Sequence, residues 1–230
     1  MEEPGLALSK TTRGAQTRAL ILETALELFK ERGYEQTTMR AIAEKAGVAL
    51  GNAYYYFKSK EHLIQAFYLR MHDELVAAAR PILDRETDLR ERLLQVMRAT
   101  VATMEPYHQF SAVLFKTAAD PASPLNPFSP ESYEARQQSI VLFDEVVAGS
   151  NSRLPKDLRA EMGYLLWLYH MGIVLFWIHD QSPGSARTYR LVDRTGEIVV
   201  RLIKLAGHPL MRPLRKSALL MISDLKEDMQ

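Results

Sequence analysis

The amino-acid sequence predicts an all-α protein with an N-terminal helix-turn-helix three-helix bundle joined to a larger helical domain. Apolar residues recur at helical spacing along most of the chain, whereas alternating apolar and polar runs are scarce. In the N-terminal quarter, a three-residue turn containing Gly47 separates two short helical segments, and a longer helical segment flanks them on each side. This arrangement is typical of a helix-turn-helix within a small bundle.

The composition is that of an ordinary globular chain and excludes several classes of site. The 230 residues carry a net charge of +1 and contain no cysteine, which rules out disulfides, thiolate nucleophiles and cysteine-ligated zinc. The first residues contain no apolar run long enough for a signal peptide. We therefore predict a disordered arm over residues 1–15, the helix-turn-helix domain over 16–62 and the larger helical domain over 63–230.

The first helix is predicted over residues 16–32. One face of it is apolar at the i, i+4, i+7 and i+8 positions: Ile21, Ala25, Leu28 and Phe29. Gly33 follows directly and supplies the left-handed residue that commonly ends a helix. The stripe indicates that this helix packs on the short helices that follow it.

The helix-turn-helix segments have recognisable start and stop residues. Thr38 is the expected N-cap of the second helix and Gly47 its end, because a threonine hydroxyl accepts from a free amide and glycine adopts positive φ. Ala49 precedes the third helix and has no side-chain oxygen for a cap. Ser59 is the expected N-cap of a long fourth helix, and Pro81 is expected to stop it.

Beyond Pro81 the pattern stays helical. Helices are predicted near residues 88–105, 107–119, 131–148, 156–180, 187–206 and 213–228. The stretch from 120 to 131 holds four prolines and is predicted to be an exposed loop. The last helix is expected to dock on its own domain or on a partner chain through one apolar face: Leu214, Ala218, Met221, Ile222, Leu225 and Met229.

The segment AGVALGNAYYYF has the residues of a helix that enters the major groove of DNA. Gly51 allows the backbone to approach closely, and Asn52 offers both a donor and an acceptor to a base edge. Tyr54, Tyr55 and Tyr56 point in three directions about 100° apart. Their rings can lie against bases, and their hydroxyls can reach phosphate oxygens on either side of the groove.

The segment from Thr17 to Phe67 resembles the DNA-binding domain of the TetR family of bacterial transcriptional regulators. The shared features are an apolar first helix ending in Leu-Phe, then Gly-Tyr, Thr-Thr, Ile-Ala, Ala-Gly-Val, Tyr…Phe and Ser-Lys-Glu. The resemblance implies phosphate contacts from Tyr54 and Lys60, and places Thr38 as a cap beside the DNA backbone. It implies base readout from Arg40, Leu50, Gly51, Asn52 and Tyr55. Ala49 departs from the family, which usually has serine or threonine there.

For the rest of the chain, the resemblance implies a variable regulatory domain that often holds an apolar effector. Aromatic residues and methionines gather after Met97. We predict a mostly apolar effector pocket from five of them and one histidine: Met104, Tyr107, Phe110, Tyr164, Trp167 and His170. The helices near 156–180 and 187–206 match in position the family's dimerising pair. In the second helix the apolar stripe comprises Leu191, Ile198, Val199, Leu202 and Leu205.

The sequence therefore predicts a cytoplasmic, nucleoid-associated homodimeric repressor. It would bind a near-palindromic operator in double-stranded DNA and leave it when a small apolar ligand binds. No enzyme motif, cofactor motif or metal-ligand pattern is found, and His170 and His179 lie on opposite sides of their helix. Two alternatives stay open: a DNA-binding regulator controlled by a protein partner, and a membrane-tethered protein that uses the uncharged run over 162–178.

Overall fold

The computed structural model describes residues 5–227, with side chains from 13 to 224, and this part of the chain is helical without any strand. The helices are α1 (Gly5–Arg32), α2 (Met39–Lys45), α3 (Leu50–Tyr56), α4 (Lys60–Arg85), α5 (Leu89–Met104), α6 (His108–Ala118), α7 (Tyr133–Ala148), α8 (Lys156–Ile178), α9 (Ala186–Gly207) and α10 (Arg212–Glu227). Short 3-10 turns lie at Glu105–Tyr107, Pro130–Ser132, Pro183–Ser185 and Pro209–Met211. The all-α prediction is confirmed.

The N-terminal hydrophobic core is formed by α1, α2, α3, the first half of α4 and the helix α6. Phe57 is buried in it together with Ile42 and Phe29. Gly33 and Gly47 have φ angles of 85° and 66°, in the left-handed region that glycine tolerates. These two residues make the sharp breaks that fold α1, α2 and α3 around one small core.

The second core is larger and lies between the remaining helices. Helix α7 packs along α8, and α5 packs between α4 and α9. Trp177 is fully buried here, and Phe143 and Met97 are buried with it. This second core is large because α8 carries apolar residues on most of its faces and is covered by other helices on several sides.

Helix α4 runs through Pro81 without stopping, which corrects the sequence-based expectation. Proline has no amide hydrogen, so the Ala77 carbonyl lacks the hydrogen bond that residue 81 would otherwise donate. Ala77 and Pro81 are both exposed, so this carbonyl lies on the solvent side of the helix, where water can bond to it. Leu83, two residues after Pro81, is buried and holds the last turn of α4 on the second core. The expected domain boundary at residue 62 also falls inside this continuous helix.

Helix α1 begins at Gly5, so residues 5–15 are helical where a disordered arm was predicted. Residues 1–4 of that arm lie outside the described residues. No proline occurs from Gly5 to the end of α1, and each residue added to a formed helix gains a backbone hydrogen bond. The packed section after Gln16 therefore nucleates a helix that continues toward the N-terminus.

The last helix, α10, docks on its own domain, through a face that only partly matches the predicted one. Ile222 of the predicted face packs on the second core together with Leu219, whereas Leu214 and Met221 are exposed. Leu225 and Met229 lie outside the residues whose side chains the structure describes. The reason is a buried polar contact. Arg215 donates from Nε to Asp157 Oδ2 at 3.0 Å and from Nη1 to the Ala206 carbonyl at 2.7 Å, which turns this side of α10 inward.

Arg92, at the start of α5, joins three helices through its buried guanidinium. Nη1 donates to the carbonyls of Leu83 and Glu86 at 2.7 and 2.6 Å, at the end of α4. Nε and Nη2 donate to the carbonyls of Val146 and Glu145, both at 2.7 Å, near the end of α7. A positive charge thus satisfies carbonyls at two helix C-termini, where the helix dipoles favour it.

We expect Arg92→Met to lower the free energy of unfolding by about 3 kcal/mol, because charge-assisted hydrogen bonds to four carbonyls are lost while the apolar stem is kept. The measurement is urea unfolding at fixed protein concentration. Arg90→Met is the matched control: Arg90 is exposed and its ion pair is with the adjacent Glu91, so we expect a change within about 0.5 kcal/mol. Equal stability of the two variants would contradict this role for Arg92.

Candidate nucleic-acid interface and interior cavity

The two short helices α2 and α3 are set at their turn by local hydrogen bonds. Thr38 caps α2, its Oγ1 accepting from the Ala41 amide at 3.2 Å. Ala49 stands at the N-cap of α3 and provides no side-chain hydrogen bond, as expected from the sequence. Ala53 is completely buried and fixes the inner face of α3, so the other faces of this helix are turned outward.

The outer faces of α2 and α3 expose most of the side chains that the sequence predicts as DNA contacts. Tyr54 is 47% exposed and Tyr55 79% exposed. Asn52 and Arg40 are also exposed, and neither side chain has a hydrogen-bond or ion-pair partner within the described part of the chain. Gly51 stands exposed beside Asn52 with open space where a side chain would lie. These five residues form one continuous polar and aromatic surface.

Three of the predicted contact residues are packed more closely against the protein. Leu50 and Tyr56 lie half-buried against the N-terminal core, and the Tyr56 ring meets the Tyr55 ring edge-on at 5.1 Å between centroids. Lys60 donates from Nζ to the Tyr34 carbonyl at 2.8 Å and lies over the Tyr34 ring. Its ammonium keeps two further protons, so the packing orients this group without using all of its donors.

The charges around α3 are divided between paired and free cations. Lys45 is 2.8 Å from Glu31 and 3.3 Å from Glu27, which occupies its charge within the protein. Lys58 is exposed and has no partner in the described residues, although it is not among the sequence-predicted contacts. The only signal for it was its position two residues before Lys60 in the same turn. Arg40 and Lys58 are thus the unpaired cations of this surface.

An interior cavity of about 180 Å³ lies between α4, α5, α7 and α8, beside the turn that leads into α6. Of the six residues predicted for an effector pocket, four line it: Met104, Tyr107, Trp167 and His170. Phe110 and Tyr164 do not, and the prediction is wrong for these two. Phe110 turns into the N-terminal core between Phe29 and Phe67, and Tyr164 is buried in the second core.

The rest of the cavity wall was not predicted. Apolar surface comes from α4 and α8: Phe67, Tyr68, Met71, Leu75, Met171 and Val174. Polar surface comes from His72, Arg136 and several hydroxyl groups. The sequence does not single out His72 or Arg136, because each is one of several polar residues on an amphipathic helix. Only the packing of α4 against α7 and α8 brings them to one cavity.

The proline-containing loop between α6 and α7 closes one side of the cavity. Gln65 Nε2 donates to the Pro124 carbonyl at 2.9 Å and to Ser132 Oγ at 3.1 Å. Arg136 Nη1 donates to the Pro127 carbonyl at 2.7 Å, and the Phe128 ring meets the Trp167 ring at 5.2 Å. The predicted loop is present, but it is tied to α4, α7 and α8 rather than free in solvent.

Comparison with known protein families gives two matches that together cover most of the chain. Residues 21–67 match the model described as bacterial regulatory proteins, tetR family, and residues 92–219 match the tetracyclin repressor-like C-terminal domain. The second match alone covers more than half of the chain. The chain belongs to the TetR family. It is a DNA-binding transcriptional regulator, and regulators of this family bind operator DNA and dimerise.

Individual TetR-family relatives agree with this assignment. The transcriptional repressor KstR2 of Mycobacterium tuberculosis H37Rv is 30% identical over 173 residues, which is 75% of this chain and 81% of the relative. The regulator TtgR of Pseudomonas putida is 39% identical over 183 residues, 71% of this chain and 80% of the relative. Both matches extend well beyond the helix-turn-helix.

Solved structures of TetR-family regulators share the fold at low sequence identity. A regulator from Syntrophomonas wolfei has a TM-score of 0.65 at 17% identity and covers 80% of this chain and 95% of its own. The regulator FadR of Bacillus subtilis, solved with stearoyl-CoA, has a TM-score of 0.60 at 18% identity and covers 77% of this chain and 96% of its own.

Helix α8 is the one described helix long and apolar enough to cross a membrane, and 44% of that stretch is buried.

We expect Asn52→Ala to relax base preference and Lys60→Ala to weaken binding to all sequences alike. A base-edge contact is worth about 1–3 kcal/mol of discrimination, whereas loss of a phosphate contact lowers the salt slope by about 1. The measurement is affinity for a selected operator and a scrambled duplex across a salt series. Because Lys60 also bonds to Tyr34, the melting temperature of its variant is measured in parallel.

Equal weakening of both duplexes by Asn52→Ala would remove the base-reading role from this residue. Lys58→Ala provides the comparison for the cation. The Lys58 side chain makes no hydrogen bond or ion pair with the described residues, so its removal tests a phosphate contact without disturbing the domain.

Proposed function

We propose that this regulator is a homodimeric repressor that binds a near-palindromic operator and is released by a small, mostly apolar ligand in the interior cavity. The observation that carries the proposal is the position of the cavity between the two hydrophobic cores. Its wall includes Phe67 and Tyr107, and both also pack with the N-terminal core that holds α2 and α3. A ligand in this cavity would therefore press on residues that support the DNA-binding surface.

The connection between cavity and DNA-binding surface consists of contacting aromatic rings. Tyr107 lies 5.0 Å from Phe67 between ring centroids, and Phe67 lies 5.3 Å from Phe110. Phe110 stacks on Phe29 of α1 at 5.9 Å. Arg70 Nη2 donates to Tyr107 Oη at 3.0 Å and adds a polar tie at the same place. Because protein interiors are close-packed, movement of Tyr107 or Phe67 must be accommodated by α1 and α4.

The names of the relatives support repression and a ligand response. KstR2 is described as a repressor, and the FadR structure contains stearoyl-CoA, which has a long apolar chain. The cavity wall here is likewise largely apolar, with rings and methionines that adapt to ligand shape. We place the protein in the bacterial cytoplasm on the nucleoid, where an operator-binding protein acts.

For the DNA contacts, we propose the roles that the exposed surface supports. Base readout is assigned to Arg40, Gly51, Asn52 and Tyr55, with an apolar contribution from the half-buried Leu50. Phosphate contact is assigned to Tyr54, Tyr56 and Lys60, with Thr38 holding the start of α2 beside the DNA backbone. Lys58 is added as a further phosphate contact because its charge is unpaired.

For the dimer, we propose an interface of α8 and α9. Ile198, Leu202 and Leu205 of α9 are each more than half exposed, and they lie on one face at i, i+4 and i+7. On α8, Leu175 and Phe176 are 46% and 40% exposed. Within the chain α9 packs through another face, which includes Val192, Gly196 and Val200. Ile198, Leu202 and Leu205 of the predicted stripe are thus free to meet a second copy in a four-helix bundle, whereas Leu191 and Val199 are partly buried against the second core.

We expect the wild-type protein to sediment as a dimer at micromolar concentration and to bind two half-sites related by its two-fold axis. Leu202→Asp should shift it toward monomer and weaken operator binding at least tenfold, because a carboxylate would be desolvated in the interface. Lys204→Asp introduces the same group on a different face of α9 and should leave the dimer intact. A wild-type monomer bound to a single half-site would contradict the proposal.

We expect Val174→Trp to keep operator affinity and to lose release by ligand, because the indole would fill part of the cavity. The measurement is fluorescence anisotropy of a labelled operator during titration with compounds that release the wild-type protein. Val141→Trp is the matched control, since Val141 is 55% exposed and lies outside the cavity. A Val174→Trp variant that folds, binds operator and responds like wild type would show that the effector does not act through this cavity.

A further inference from the structure

One part of the cavity wall contains polar atoms that have no partner in the protein. His170 on α8 and His72 on α4 both line the cavity. Both ring nitrogens of His170 and Nδ1 of His72 are shielded from solvent and make no hydrogen bond within the described part of the chain. An unsatisfied buried polar group costs about 1–3 kcal/mol, so three such atoms at one cavity point to a ligand that supplies the missing partners.

The same wall carries a positive charge and no negative one. Arg136 is 8% exposed and is the only residue with a formal charge that lines the cavity, because no aspartate or glutamate does. Its Nη1 donates to the carbonyls of Pro127 and Ser129 at 2.7 and 3.1 Å. No carboxylate of the described residues lies within ion-pair distance of it. A buried charge without a counterion is costly, and an anion in the cavity would offset that cost.

We propose that the effector is a small amphipathic carboxylic acid whose carboxylate accepts a hydrogen bond from His170 near His72 and whose apolar body lies against Met71, Met104 and Trp167. The inference rests on the proposed function in that the cavity is taken to be the effector site. It goes further by giving the ligand a charged end. Arg136 supplies the remaining positive potential of the wall.

Binding of such an acid should take up a proton. Burial lowers the pKa of His170 to about 4, with a smaller contribution from His72, so this imidazole is neutral in the free protein at pH 7. A carboxylate beside it favours the imidazolium and raises that pKa. Affinity then falls as pH rises, by up to tenfold per pH unit between the free and the bound pKa.

Four further titratable groups line the cavity, and one of them, His72, is also an imidazole. From α4 there are His72, whose pKa burial also lowers against the opposing charge of Asp73, and Tyr68, whose pKa burial raises. From α7 there is Arg136, whose pKa burial lowers, and from the 105–107 turn there is Tyr107. Helix α5 presents only Thr100, Thr103 and Met104. His170 is therefore the group whose protonation should follow ligand binding near neutral pH, with His72 as its nearest titrating neighbour.

The test uses the full chain and two matched sets of probes. Hexanoic, octanoic, decanoic and 4-phenylbutanoic acids are compared with the alcohols of the same carbon skeleton by isothermal titration calorimetry from pH 5.5 to 7.5. We expect the best acid to bind at least tenfold more tightly than its alcohol at pH 6. Titrations in phosphate and in Bis-Tris, which differ in ionisation enthalpy and both buffer near pH 6.5, should report uptake of about one proton per protomer for the acid and none for the alcohol.

His170→Gln keeps a donor and removes the titration. We expect it to abolish proton uptake and the pH dependence and to weaken acid binding at least tenfold, while alcohol binding stays unchanged. His179→Gln is the matched control, because His179 is exposed at the end of the same helix and is not part of the cavity wall. The proposal is overturned if alcohols bind as tightly as acids, if neither set binds at millimolar concentration, or if His170→Gln retains the proton uptake.

Release of a labelled operator is followed in the same solutions, which separates the two levels of inference. Acids that bind with proton uptake but leave the operator bound would overturn the proposed effector function and keep the ligand class. Alcohols that release the operator as effectively as acids would keep the effector function and overturn the ligand class.

Discussion

The shared helix α4 is the constraint on which the rest of the structure depends. Its first half buries Leu63 and Phe67 in the N-terminal core, and its second half buries Leu75 and Leu83 in the larger core. No break separates the halves. The helix also continues past Pro81, which lies on the solvent side, and Arg92 donates to the carbonyls at its end. The proposed DNA-binding surface and the cavity are therefore both attached to one continuous helix.

The second link between the two cores is α6, and it explains why a cavity lies where the cores meet. Phe110 enters the N-terminal core, while the turn that leads into α6 places Tyr107 in the cavity wall. His108 adds a tie to the larger core, its Nε2 lying 2.8 Å from the Trp177 carbonyl. The cavity is the space that these two helices and their neighbours leave unfilled. The remaining volume is a natural place for a ligand whose binding alters their positions.

The features that cost stability in the isolated chain coincide with the surfaces to which functions are proposed. Tyr54 and Tyr55 are exposed aromatic rings, Leu202 is an exposed apolar side chain, and His170 and Arg136 are buried polar groups without full compensation. Each violates an ordinary rule of folding, and each would be satisfied by a partner: DNA, a second copy of the chain, or an anionic ligand. Local violations of this kind are expected at functional sites.

The sequence by itself determined most of the helices and their caps, because these depend on neighbours along the chain. Thr38 and Ser59 cap the predicted helices, Gly47 makes the predicted turn, and Asn52 is exposed on the predicted face. The cavity was only partly predictable: helical spacing cannot tell which side of an apolar helix meets a ligand and which meets another core. Tertiary packing alone turned Phe110 away from the cavity and brought His72 and Arg136 to it. Tertiary packing also decided which side of α10 faces the domain, through the buried Arg215. The free energy of burying such a polar group is set by partners distant in sequence.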